Sequence, residues 1–161
     1  MSAAVVAAFL TPARGQQSTT ATYADWVLQC QMDTGTPPKK ICEITQTTQL
    51  QGKNQPFSRV LVQNTGKPIK LIVQLPVNVS LRAEVGIHAS DGDTLVASAP
   101  FDHCLPGGCF AEFDLKDDVL KKLYASEGAG KVTFKDAAGK DVSVPLSFKG
   151  FRQAFDALSK G

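Results

Sequence analysis

The chain is poor in the residues that do chemistry and in the patterns that hold cofactors. It has two histidines, one tryptophan and two tyrosines in 161 residues. No Gly-x-Ser-x-Gly elbow is present, so a hydrolase of that build is excluded. No glycine-rich phosphate loop or Cys-x-x-Cys pair occurs, and the cysteines lack the spacing of a zinc or haem site. We therefore expect no cofactor and no metal. The formal net charge is only +2 and no Lys/Arg run stands out, which argues against a nucleic-acid partner. No apolar run is long enough for a membrane helix. The length suits one domain with a hydrophobic core.

What the chain does have is four cysteines, an even number that suits an oxidising compartment and two bridges. The most informative stretch runs from Phe101 to Leu115. Cys104 and Cys109 flank Leu105-Pro106-Gly107-Gly108. Pro106 presets φ for a turn corner, and a following glycine takes positive φ at little cost. Such a turn allows the two cysteines to bridge. Phe110 to Leu115 then reads as a core strand. The competing use of this pair is thiol–disulfide exchange, although four residues separate the cysteines where redox motifs have two. Cys30 and Cys42 fall on neighbouring predicted strands. Of the three pairings that four cysteines permit, Cys30–Cys42 with Cys104–Cys109 closes the two shortest loops.

Residues 1–15 read as a signal-peptide remnant: an apolar run from Ala3 to Leu10, then Ala13-Arg14-Gly15 as a cleavage site. Membrane association is expected only through this segment. Residues 16–22 are polar and read as a linker. Residues 23–160 form the domain. Alternation predicts strands at Tyr23–Met32, with Trp26, Leu28 and Cys30 on one face, and at Ile41–Gln46, Phe57–Gln63, Ile69–Leu75, Val79–His88 and Thr94–Ala97. Asp91-Gly92 marks a hairpin between the last two. A helix is predicted over Lys116–Ser126, stopped by Gly128 and Gly130. A hairpin spans Lys131–Lys135 and Asp141–Phe148, and a short amphipathic helix carries Phe151, Ala154, Phe155 and Leu158. The expected fold class is mainly β: an antiparallel sandwich or barrel-like single domain with two short helices in the C-terminal half.

Candidate reactive groups have structural readings. His88 has no motif around it. His103 touches the cysteine motif, with Asp102 too near in sequence to act as a triad partner. Asp91/Asp93 and Asp117/Asp118 suit a turn and a helix start. Trp26 beside a predicted bridge reads as core. The contact surface is expected on loops, at Leu105, Pro106, Gly107 and Gly108 or around Lys39 and Lys40, because bridged loops present fixed shapes.

Several motifs in order resemble the invasion-associated locus B family of bacterial envelope proteins. These are Asp25-Trp26 followed by Cys30 and Cys42, Gly86-Ile87-His88, Pro100-Phe101 with Cys104 and Cys109, and Pro145-Leu146-Ser147-Phe148-Lys149-Gly150-Phe151 followed by Ala154 and Leu158. The similarity spans Tyr23 to Leu158. It implies a small, β-rich, periplasmic or secreted protein with no assigned reaction, from a family named for a link to host-cell invasion. The expectation is a non-catalytic interaction protein whose partner is a host surface or a bacterial envelope complex. An accessory subunit of such a complex, or an exchange protein using Cys104/Cys109, is the alternative.

Overall fold

Apolar residues at every second position make most of this chain strand, and turns rich in Gly, Pro, Asn and Asp separate the strands. The computed structural model describes residues 18–50, 52, 56–91 and 93–160. The apolar N-terminal run, its cleavage site, Gly92 and most of the Gln51–Gln55 turn lie outside the described residues. The elements are β1 (Ser18–Tyr23), β2 (Trp26–Met32), β3 (Lys40–Gln49), β4 (Pro56–Gln63), β5 (Lys70–Leu75), β6 (Glu84–His88), β7 (Leu95–Leu105), β8 (Gly108–Asp114), α1 (Asp117–Ala125), β9 (Ala129–Lys135), β10 (Asp141–Ser147) and α2 (Phe151–Leu158).

The strands form one antiparallel sheet in the order β1-β2-β3-β4-β5-β8-β7-β6-β9-β10. The long β7 joins its two halves. Its first part pairs with β6, its last part with β8, and the register shifts between Phe101 and His103. Such a bulge bends a strand. One core draws on both halves: Ile44, Val62 and Val73 from one, Val85, Ile87, Val132 and Val144 from the other. The architecture is thus the mainly β, antiparallel, two-helix domain that the patterning implies, built from a single sheet that does not close.

The ends of that sheet meet through side chains. Gln46 of β3 donates from Nε2 to the Ser147 carbonyl (2.9 Å) and accepts at Oε1 from the Ser147 N–H (2.8 Å). One amide side chain thereby copies both bonds of a strand pair. Trp26 Nε1 donates to the same carbonyl (2.9 Å), and the Ser147 hydroxyl donates to Asp25 Oδ2 (2.6 Å). Trp26 is 1 % exposed, so its indole N–H needs such a partner.

α2 covers this seam. Phe151, Ala154, Phe155 and Leu158 are buried. The Phe151 ring packs edge-on against Trp26, with centroids 5.1 Å apart. Gly150 precedes the helix at φ 83°. A Cβ there would stand 1.9 Å from the Tyr23 carbonyl oxygen, so only glycine lets the two segments approach.

Three expectations are corrected. The polar stretch read as a linker is strand from Ser18 onward and pairs with β2 along its whole length. Its threonines are β-branched, and Ala21 and Tyr23 turn partly inward, which suits a half-solvated outer strand. The strand expected from Val79 begins only at Glu84, because Ser80 to Ala83 turn, with the Ala83 N–H on the Ser80 carbonyl. Gly130 does not stop α1. It lies in β9, where a Cβ would come within 2.4 Å of the His88 carbonyl oxygen.

Tyr124 joins α1 to α2. Its hydroxyl donates to Asp156, and Arg152 sits 5.6 Å over its ring. Burial first, then the Asp156 carboxylate, pushes its pKa up to about 12. The neutral phenol is favoured in the fold, so this contribution is complete below the ordinary tyrosine range and fades as pH rises through the raised value. Ultraviolet titration of the folded protein should show a tyrosinate step near pH 12. Tyr124→Phe should delete that step.

Candidate functional site

The expected contact residues lie on the β7–β8 hairpin. Leu105 pairs with Gly108 and Cys104 with Cys109, leaving Pro106-Gly107 as a two-residue turn. The cysteines are bonded, with Cα atoms 4.0 Å apart. Residues facing each other at that distance occupy a non-hydrogen-bonded position of the ladder, where side chains come closest. Cys30 and Cys42 do the same across β2 and β3, also 4.0 Å apart. Both expected pairings are the ones found.

Further contacts fix the hairpin tip. Gln74 of β5 donates from Nε2 to the Gly107 carbonyl (3.0 Å). Gly108 lies at φ +148°, and a Cβ there would sit 2.6 Å from the Leu75 carbonyl oxygen. The tip therefore lies directly on β5. Beside it opens a cleft of about 750 Å³, lined by Leu50, Phe57, Pro76, Val77, Pro106 and Gly107 with Arg59 and Gln74. Leu105, Val77 and Leu50 are 54 %, 60 % and 46 % exposed. Apolar side chains of that size gathered at one end of a domain mark a contact surface more than isolated ones do.

Lys39 and Lys40 are exposed too, but not beside this tip. Lys40 pairs with Met32, Glu43 with Gln63, Gln63 with Lys70 and Lys70 with Asp114. That chain of pairs runs along the other end of the strands. The tip shares its end with Leu75, which pairs with Cys109, and with the far end of β3. The two candidate loops are separate surfaces. The loop before Lys39 is shaped by Asp33, whose Oδ1 accepts from the Gly35 and Lys39 N–H groups at 3.1 and 2.7 Å. Between the Lys39/Lys40 end and β8, Lys70 reaches Asp114 (2.9 Å) and Glu112 (3.5 Å). Asp114 and then Glu112 hold its ammonium above the usual lysine range.

The histidines and acids are accounted for. His88 contacts the Asp93 carbonyl through Nδ1 (3.3 Å) and Thr133 Oγ1 through Nε2 (3.0 Å). His103 stacks on Phe110 with centroids 4.9 Å apart, and its Nδ1 lies 2.7 Å from Asp102 Oδ2. Asp102 thus contacts the neighbouring ring. The bulge in β7 at this point turns the two side chains together. Asp91 accepts from the Thr94 hydroxyl and from the Thr94 and Asp93 N–H groups. Thr94, through both its hydroxyl and its N–H, is the main cause that lowers the Asp91 pKa. Asp117 and Asp118 begin α1. Among the described residues no group of three or more His, Cys, Asp or Glu gathers to hold a metal, and no helix is long and apolar enough to cross a membrane.

Two of the motifs that carried the resemblance meet at the sheet seam: Asp25 and Trp26 on Ser147, and Phe151 on Trp26. The family model described as invasion associated locus B (IalB) protein matches residues 26–159. The chain belongs to the invasion associated locus B family. No curated protein matches it. Among solved structures, the crystal structure of invasion associated protein b from Bartonella henselae is similar in fold. Its TM-score is 0.73 at 18% identity, covering 88% of this chain and 95% of that one. In this IalB chain those seam residues hold β10 against β2 and β3, while Cys104 and Cys109 shape the β7–β8 hairpin tip. The apolar cleft carries no comparable sequence signal. Leu50 and Val77 stand singly in loops far apart in sequence, and only the strand register brings them to Pro106.

Proposed function

We propose that this protein is an exported, non-catalytic interaction protein of the bacterial envelope, periplasmic or secreted, that holds a protein partner at the Cys104–Cys109 hairpin tip. The observation that carries the reading is the apolar cleft of Leu50, Phe57, Val77 and Pro106 beside a tip that bears exposed Leu105 and is fixed by a disulfide, Gln74 and a glycine seated on β5. A rigid apolar tip loses little conformational entropy on binding. Family membership and two bridges support an oxidising location. The structural contacts of both histidines support a role without catalysis. A host surface or an envelope complex, in which the chain would be an accessory subunit, supplies the partner.

The test is cross-linking and recovery of the partner from the native envelope. Leu105→Asp with Val77→Asp should melt like the parent and lose the partner at least about tenfold, as buried apolar anchors do. Lys39→Glu with Lys40→Glu should retain it. Retention by the first variant and loss by the second would move the site to the opposite end of the sheet.

Thiol exchange is the second reading. Cys104 is exposed while Cys109 is 1 % exposed. An attacking thiolate reaches the Cys104 sulfur and must expel the Cys109 thiolate into apolar surroundings, where a thiol's pKa rises and it leaves poorly. This favours the scaffold role. Measured turnover with a dithiol substrate, lost in Cys104→Ser/Cys109→Ser, would reverse that judgement.

A further inference from the structure

The sheet forks where β7 leaves β8. Their pairing ends with Phe101 opposite Ala111, while β7 stays paired to β6 from Pro100 back to Leu95. A cleft of about 600 Å³ opens in the fork, lined by residues 97–102 of β7, residues 112–114 of β8 and the start of α1. Pro100 explains the split. One more step of the ladder would set Glu112 against Pro100 in a hydrogen-bonded pair, and a proline has no N–H to give the Glu112 carbonyl.

The ladder fixes which backbone groups face the fork. Pro100 stands opposite Glu84, and that pair cannot exchange two bonds. Ala99 and Ala97 therefore bond to Val85 and Ile87, and Ser98 directs its N–H and C=O away from β6. On the facing strand, Cys104 and Cys109 stand at the non-hydrogen-bonded spacing of 4.0 Å. Phe110 therefore bonds toward β7, and Glu112 and Asp114 direct their backbone groups the same way. The Lys116 N–H donates to the Asp114 carbonyl (2.9 Å). The Ser98 N–H and C=O, the Glu112 C=O and the Asp114 N–H find no partner among the described residues.

The side chains around these groups are mainly acidic. Asp102, Glu112, Asp114 and Asp118 line the cleft with only Lys70 and Lys116 to balance them, on a chain whose net charge is +2. Lys70 is taken up by Asp114 and Glu112. Asp102 contacts the His103 ring, and neither Asp102 nor Asp118 meets a lysine or arginine among the described residues. Ala97, Ser98 and Ala99 are small and leave the β7 backbone accessible, and Ala97, Phe101 and Val119 are only partly buried. We propose that this fork takes an extended, lysine- or arginine-bearing segment of a partner protein, which adds to β7 as a strand and exchanges both backbone bonds with Ser98. Main-chain bonds give such strand addition its affinity. The unpaired carboxylates select a segment of positive charge, and the half-buried apolar side chains suit small apolar residues alternating with the cations. The site lies at the Lys70 end of β8, opposite the hairpin tip, and is independent of it.

The probe is a short fluorescein-labelled peptide alternating lysine with valine, titrated with the full chain and followed by anisotropy. Saturable binding is expected. The same peptide with glutamate for lysine should not bind, and one with alternate backbone amides N-methylated should bind about tenfold more weakly or worse. Amide exchange followed by NMR should show the Ser98 N–H fast in the free protein and slowed by the lysine peptide. Ser98→Pro removes an N–H that β6 does not use, so the fold should be kept and the affinity should fall about tenfold. Asp102→Asn with Asp118→Asn should weaken binding and flatten its salt dependence. Asp141→Asn, on β10, should change neither. Should Ser98→Pro fail to fold, the methylated peptide and the Ser98 exchange rate decide. The proposal is overturned if no saturable binding occurs up to about 1 mM. It is equally overturned if the methylated peptide binds as well and Ser98 exchange is unmoved, or if Asp141→Asn weakens binding as much as the Asp102/Asp118 variant.

Discussion

A chain cut after Phe148 should fail to fold. α2 contributes Phe151, Phe155 and Leu158 at 1 %, 4 % and 1 % exposure, and burying each is worth about 1.5–3 kcal/mol. The sum, roughly 5–9 kcal/mol, is comparable with the whole stability of a domain, about 5–15 kcal/mol. The loss reaches beyond area. Phe151 is the edge-on partner of Trp26 and packs with Phe148 and Phe155. Without it the indole meets water, and the Trp26, Gln46 and Ser147 network is left on an exposed seam. Phe151→Ala should already cost about 3–5 kcal/mol. Circular dichroism and tryptophan fluorescence of the truncated chain check this, and a cooperative melt near that of the parent would show that α2 is dispensable.

Removing the first bridge should cost more than removing the second. The Cys30–Cys42 bond closes a separation of 12 residues and the Cys104–Cys109 bond one of 5. Loop-closure entropy then gives about 3 kcal/mol for the longer and about 2 for the shorter. Burial widens the gap. Cys30 and Cys42 are 4 % and 5 % exposed, so paired serines would place two hydroxyls in apolar surroundings, whereas Cys104 is exposed. Denaturant unfolding of Cys30→Ser/Cys42→Ser against Cys104→Ser/Cys109→Ser measures the order. A larger loss in the second variant would mean that tip contacts, more than loop entropy, set the contribution of a bridge.

Much of the fold was legible because alternation and turn residues are local signals. Trp26, Leu28 and Cys30 share a face as their spacing requires, Phe151 to Leu158 form the helix their period predicts, and Pro106-Gly107 makes the turn that its residues favour. β1 was missed because Ser and Thr describe a linker and an outer strand equally well. The non-local features were out of reach. That β8 pairs with β5, and β6 with β9, depends on which surfaces fit after the strands exist. The pairing of Gln46 with Ser147 joins positions 101 residues apart. For the same reason the sequence could name Pro106 and Lys40 as loop residues without revealing that they stand at opposite ends of the sheet. The apolar cleft needed three loops in register before it existed at all.

Each cysteine is bonded to its nearest cysteine neighbour along the chain, across a two-stranded ladder that needs no distant segment. A hairpin of that kind forms in roughly 1–10 μs, against seconds or longer for making or reshuffling a disulfide. Each correct partner is therefore in place before oxidation selects it. Synthesis from the N-terminus strengthens the bias, because Cys42 meets Cys30 before Cys104 and Cys109 have been made. Of three possible pairings, the native one is thus favoured by kinetics as well as by the finished fold. Neither bond ties the two halves of the sheet together. That task stays with the non-covalent seam at Ser147, so oxidation can finish inside each half before the halves meet.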